Sequence, residues 1–391
     1  MRDLQSYEAL DEQPLEHLIR GGNAGRALDS TVIGASGAGT TTPTTNDMQT
    51  TTIHAASEKN ISCVDSWGFP AILRGRMLWK LLFAILATTA MLPAQQVVRV
   101  GVFPNVTHAQ GLVAANMSRE GKGWFESRLG VPVKIEWMVY NAGPSAMEGI
   151  FTRAIDFTYV GPSPVVNAYA KANGNEVRVL SGAMRGGEAL VIKGDAITKP
   201  EDFRGKTIAT PQLGNTQDVE CRAWLIAHGI KVTLVGGDAR VLPTANPDIL
   251  PLFQQGKIDA AWTVEPWVTR LLNEAGGKIF FADKDALTTV LAGREGFLKD
   301  NPALAAKFLA AHNELTAWVL ANPEEAQKRV RDEISAITHK EIAQTLITES
   351  WTRLVFSNEI SAAPFETFLK QAHEVGFVRT EANLDKLIWK P

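Results

Sequence analysis

The chain has 391 residues, 45% of them hydrophobic and 21% charged, an ordinary globular composition long enough for two domains. A net charge of −3 and a pI near 6.2 offer no basic surface, so neither nucleic acid nor an acidic membrane is expected as a partner. Two cysteines, Cys63 and Cys221, can make no disulfide framework and lack metal-ligand spacing. The common metalloprotease, dithiol, hydrolase and phosphate-loop motifs are missing, and no cofactor is expected.

Residues 1 to about 73 are rich in Gly, Thr, Ser and Ala (ASGAGTTTPTTNDMQTTT), a composition that cannot bury a core. Arg74, Arg76 and Lys80, the apolar run 81–90 and Pro93-Ala94 then read as a secretory signal peptide. That reading places the translation start at Met77. It makes 1–76 an over-extension, 77–94 the leader, and the periplasm the destination.

From 97 onward short apolar runs alternate with helical segments. Strands are expected at 97–103, 133–139, 155–160, 177–183 and 189–193, with helices at about 108–129, 144–153 and 165–172. A second set follows Gly194: strands at 207–209, 240–242, 258–263 and 278–281, and helices at 217–228, 247–255 and 266–275. After the apolar run 288–292 the pattern is almost wholly helical. Strands alternating with helices predict an α/β protein with mainly parallel sheets.

Ligands of open α/β sheets bind beyond the carboxyl ends of the strands. Asn105, Thr107, His108, Ser163, Ser181, Gln212, Asn215, Thr216, Trp262 and Glu265 fall there, nearly all small, hydroxylated or amide-bearing and close to a helix start. Such helix starts carry partial positive charge and free N–H groups that suit an oxyanion. Each residue also has a plainer role: Asn105, Thr107, Asn215 and Thr216 fit as caps, Ser163 as a turn between prolines, and Trp262 as core. Paired catalytic carboxylates and an activated nucleophile are missing, which suggests binding and not turnover.

The segments FPNVTHAQ (103–110), DFTYVGPSPVVNAY (156–169), RGKTIATPQLGNTQDV (204–219), ANPDILPLFQQGKIDAAW (245–262) and VEPW (264–267) resemble the periplasmic substrate-binding proteins of nitrate/sulfonate/taurine-type ABC importers. The likeness runs from about 97 to 299 and is greatest to aliphatic-sulfonate binders. It implies a type II periplasmic-binding-protein fold, α/β in class, with two lobes, a hinge of two crossing segments and a helical C-terminal tail. One lobe would comprise 97–193 plus 288–391, the other 194–287, with crossings near 193–194 and 287–290. It further implies a small anion, a sulfonate, as ligand, an ABC permease and its ATPase as partners, and a monomer. By the likeness Asn105, His108, Ser163, Ser181, Gln212, Asn215, Thr216 and Glu265 face the cleft. The sequence departs from the pattern in a short loop around 281–295 and in Arg185 and Cys221.

Two other ligands stay open, nitrate and a thiamin-precursor pyrimidine. So does an enzyme of the same fold, such as a desulfinase, for which only Cys221 and His108 could serve as nucleophile or base.

Overall fold

The computed structural model describes residues 95–391 except Val131; the expected extension, the signal peptide and Cys63 lie outside the described residues. The chain opens with β1 (Gln96–Val102), a 3₁₀ turn at Val106–His108 and α1 (Ala109–Arg119). It continues through β2 (Val133–Val139), α2 (Gly143–Phe151), β3 (Phe157–Val160), α3 (Pro162–Lys171) and β4 (Val177–Gly186). It then crosses to β5 (Glu188–Lys193), β6 (Thr207–Thr210), α4 (Thr216–Ala227), β7 (Arg240–Pro243), α5 (Asn246–Gln254), β8 (Ala260–Val264), α6 (Trp267–Ala275) and β9 (Gly277–Phe281). Returning, it forms β10 (Leu287–Arg294), α7 (Glu295–Asp300), α8 (Pro302–Ala321), α9 (Pro323–Thr338), α10 (Gln344–Trp351), β11 (Leu354–Phe356) and α11 (Ala362–Glu374).

Two sheets result. The first has the order β11-β4-β10-β3-β1-β2 and the second β7-β6-β8-β5-β9. β1 pairs parallel with β2 and β3, and β6 with β7 and β8, as the alternating pattern requires. The expectation of mainly parallel sheets is not met: among the described residues five of the nine strand pairings are antiparallel, including β11 with β4 and β5 with β9. β5 runs against β8, and β10 runs against both β3 and β4. Each is the first strand reached after a crossing, so it enters its new sheet reversed.

The first crossing is Gly186–Gly187, not 193–194, because β5 already belongs to the second sheet. Both glycines lie in the left-handed region, at φ 64° and 72°, where a side chain would be strained. The second crossing is the segment 282–286.

Strands β3 and β8 are buried along their whole length, Thr158 and Thr263 included, which is why apolar residues predominate in them. The helix expected at 108–129 stops at Arg119, with Gly121 at φ 74° just beyond it. Nine of its eleven residues are buried, since it lies between the first sheet and the tail helices. On the same face Phe308 of α8 stacks between Phe125 and Phe157, with ring centroids 4.0 and 4.2 Å away. The tail is not purely helical: β11 extends the edge of the first sheet beside β4. Among the described residues no helix is long and apolar enough to cross a membrane.

Candidate anion-binding site

Between the two sheets lies a cavity of ≈ 30 Å³, room for roughly two waters. Four α-helices begin at its wall: α2 at Gly143, α3 behind Gly161, α4 at Asn215–Thr216 and α5 at Asn246. The first-turn N–H groups of a helix have no carbonyl partner within it, so these starts supply donors and partial positive charge from both lobes. The wall is completed by Asn105, Thr107 and His108 of the first turn, by Phe103, Asn141, Gln217 and Thr288, and by apolar or proline residues. It contains no lysine or arginine. Lobe surfaces meet closely here: a Cβ added at Gly161 would lie 2.2 Å from Thr216 Oγ1.

The side-chain amides are oriented by what stands behind them. The Trp267 indole N–H donates to Asn105 Oδ1 at 3.1 Å, and the Asp218 backbone N–H donates to Asn215 Oδ1 at 2.9 Å. Indole and backbone N–H groups only donate, so each asparagine must present its oxygen to them and keep its NH₂ end as a donor; that of Asn215 gives one hydrogen to Gln217 Oε1 at 2.9 Å. The Thr263 hydroxyl donates to Asn246 Oδ1 at 2.8 Å. Thr216 Oγ1 and His108 Nδ1 are buried without any partner. A buried polar group left unpaired costs free energy, and a ligand accepting from these groups would remove that cost.

His108 lies against Phe103, ring centroids 4.2 Å apart, and burial pushes its imidazole down to about 3. The ring is therefore neutral at physiological pH and adds no fixed charge. Behind α4 the Asp218 carboxylate accepts from Gly214 N at 2.9 Å and Thr210 Oγ1 at 2.8 Å. It also accepts from Arg222 Nε and Nη2, both at 3.1 Å. Asp218 and Arg222 are 0% and 1% exposed. This pair ties strand β6, the loop after it and the first turn of α4 into one rigid unit.

Of the residues singled out in the sequence, Asn105, Thr107, His108, Asn215 and Thr216 come together on the cavity wall. Ser163 is fully buried in the first turn of α3 with its hydroxyl unpartnered; its neighbours Gly161 and Pro164 line the cavity, and it does not. Ser181 donates to the Asn358 carbonyl at 3.2 Å from within β4. Gln212 is off the wall, and its backbone carbonyl accepts from Asn215 N at 3.0 Å to shape the loop. Trp262 packs in the second lobe's core beside Trp224 and Phe281. Glu265 is fully buried and turned to other partners. Its carboxylate accepts from Thr269 N and Oγ1, from Ser350 Oγ at 3.0 Å and from Arg353 Nη1 at 3.0 Å. Burial raises its carboxyl pKa and the Thr269 hydrogen bonds and Arg353 oppose the rise.

Cys221 is buried in the second lobe's core, where burial pushes its thiol up, and it does not reach the cavity. Arg185 donates to the Asp285 carbonyl at 3.0 Å and is also off the wall. Phe103, Asn141, Gly143, Gln217, Asn246 and Thr288 were not singled out. Gly143-Pro144 and Asn246-Pro247 carried a usable signal, proline just inside a helix that follows a strand's carboxyl end.

Comparison with known proteins agrees with this architecture. The chain is 27% identical over 196 residues to the taurine-binding periplasmic protein of Escherichia coli K12, covering 49% of this chain and 59% of that one. It is 24% identical over 255 residues to a putative aliphatic sulfonates-binding protein of Bacillus subtilis 168, covering 63% and 74%. The aligned part thus spans little more than half of the first relative. Among solved structures, the alkanesulfonate-binding protein of Xanthomonas axonopodis pv. citri bound to MOPS superposes with a TM-score of 0.63 at 16% identity, over 76% of this chain and 99% of that one. The nitrate-binding protein of Synechocystis PCC 6803 gives 0.57 at 16% identity, over 73% and 83%. At these identities the structural likeness establishes the fold, which is that of the periplasmic binding proteins. The NMT1-like family profile matches residues 92–333, well over half of the sequence, and the chain belongs to that family.

Proposed function

We propose that this protein is the solute-binding component of an ABC importer, working in the periplasm. It captures a small oxyanion, an aliphatic sulfonate, between its lobes and hands it unchanged to a membrane permease driven by an ATPase. The observation that carries the reading is the cavity wall itself: four helix starts, the side-chain amides of Asn105, Asn215 and Asn246, and no cation. An acceptor-only ligand with spread negative charge matches that wall. A cation or a ligand rich in donors does not. Asn141 is exposed and lies on the wall, so it marks the rim where an organic substituent would leave the cavity. Taurine and sulfonates named in the relatives' descriptions belong to the same chemical class.

Nitrate is the second reading, favoured by the small volume of the cavity. Thermal shift with propanesulfonate, taurine, nitrate and sulfate separates the two. A ligand that binds only the folded state raises stability by about 2.7 kcal/mol at a hundred times its Kd. Stabilisation by propanesulfonate beyond the other three is the expected result. A response to nitrate alone selects the second reading, and a response to none overturns both. Recovery of the bound ligand intact by mass spectrometry distinguishes capture from turnover.

A further inference from the structure

Helix α4 carries two apolar faces. Cys221 and Leu225 turn to the core of the second lobe. Val219, Ala223 and Ile226, at spacings of four and three, form another stripe, in which Val219 and Ala223 are 0% and 4% exposed. A helix that only covers one side of its own sheet needs a single such stripe. The second stripe is covered by Val375 and Phe377, just beyond α11, and Val375 is 8% exposed.

Those two residues belong to the first lobe. Phe365 and Phe368 fix α11 in that lobe's core. Past the turn, the Tyr169 hydroxyl donates to the Asn383 carbonyl at 2.9 Å, and Trp389 N donates to the Val179 carbonyl of β4 at 2.8 Å. The turn itself is closed by Gly376 N on the His373 carbonyl at 3.1 Å and by Phe377 N on the Ala372 carbonyl at 2.8 Å. Gly376 sits at φ 83°, and this pair of bonds around a left-handed glycine is a firm helix stop that fixes the residue after it. The Phe377 ring reaches from there across the lobe boundary: a Cβ added at Gly214 would lie 3.3 Å from Phe377 Cε1. Gly214 immediately precedes Asn215, so the ring rests on the loop that carries the anion-site amide and the start of α4.

We propose that the turn Val375–Phe377 is a latch between the lobes, with Phe377 as a positioning residue for the anion loop. Its apolar contact with α4 and Gly214 exists while the lobes are together and breaks when they part about the two crossings. The latch therefore stabilises the closed state alone, and a contact of that kind slows release of a bound ligand more than it speeds capture. Its effect on the ligand rests on the anion reading above. Its hold on the loop does not.

Two measurements on the full chain test it. The first needs no ligand: hydrogen exchange read by mass spectrometry over residues 210–219. Gly214 N, held by Asp218 Oδ2 at 2.9 Å, and Asn215 N, held by the Gln212 carbonyl at 3.0 Å, report on the loop. Phe377→Ala should speed exchange there and leave the amides of β1 unchanged. The second is stopped-flow binding of propanesulfonate. Phe377→Ala should raise the release rate about tenfold, from the share of a phenylalanine's burial that the second lobe provides, with the association rate within about threefold. Phe377→Leu, which keeps most of the apolar surface, should restore both. Ile226→Ala removes the contact from the other lobe and keeps the test intact if Phe377→Ala fails to fold. Unchanged loop exchange in a folded variant overturns the inference, and so does a rise spread evenly over both lobes or an unchanged release rate. Absence of any anion binding overturns the anion reading, while the exchange measurement still decides the latch.

Discussion

Thr216 has a hydroxyl that is buried, unpartnered and on the cavity wall, and so its removal isolates a donor from any structural bond. Thr216→Val should weaken propanesulfonate binding by roughly ten- to a hundredfold, the 1.5–3 kcal/mol of a hydrogen bond to a charged group, with little loss of stability. Calorimetry and a thermal melt on the same sample check both halves. Arg185→Ala should leave Kd within about threefold, because that guanidinium is spent on Asp285. A second residue-scale consequence concerns His312. Its Nε2 must donate to the Gly182 carbonyl, leaving Nδ1 to accept from Tyr159 at 3.0 Å, and burial pushes the ring down to about 4. The unfolded chain binds a proton near pH 6.5 that the folded chain refuses. Stability from this group is therefore full above 6.5 and lost as pH falls from there toward 4, by about 1.4 kcal/mol per pH unit at most. Urea unfolding at pH 7 and pH 5 should show that part of the slope missing in His312→Gln. Small polar residues after strand ends pointed to five of the wall residues, Asn105, Thr107, His108, Asn215 and Thr216. The orientation of the Asn105 amide could not be read, because it is set by the indole of Trp267, which is distant in sequence.

The element on which the site depends is the β6–loop–α4 unit. Its existence is legible from a short apolar run, Gly214 and a capping Asn215; what fixes it is not. Asp218 and Arg222 are an i,i+4 pair on α4, both buried, and Arg222 also donates to the carbonyls of Thr233 and Val241. Removing one partner of a buried pair strands the other charge and costs about 3–5 kcal/mol. Arg222→Leu should lower stability by about that amount in urea unfolding and, by loosening the Asp218 bonds to Thr210 and Gly214, should also lose propanesulfonate binding. A loss of binding without a loss of stability would contradict this bracing role. The same lesson applies to α1 and to the first crossing: periodicity finds an element, but tertiary packing and paired glycines decide where it ends.

At the scale of the molecule, the α/β class and the family were legible because strand–helix alternation and the motif segments are local in sequence. The reversed strands were not, since pairing across a crossing leaves no local trace. The lobes touch beside the cavity, where Gly161 lies against Thr216. The paired glycines at 186–187 and the segment 282–286 are the hinge candidates, and scattering should give a smaller radius of gyration with propanesulfonate than without it. An unchanged radius at saturation would contradict closure on the ligand. The central claim, an anion held by neutral donors, is tested most directly by calorimetry of propanesulfonate against the unmodified chain and Asn215→Asp at low and high salt. Aspartate can still cap α4, so the fold is kept while an NH₂ donor becomes a carboxylate. The account predicts saturable one-to-one binding that salt barely alters and that Asn215→Asp abolishes. Undiminished binding by Asn215→Asp, or an affinity that collapses with salt, would contradict it.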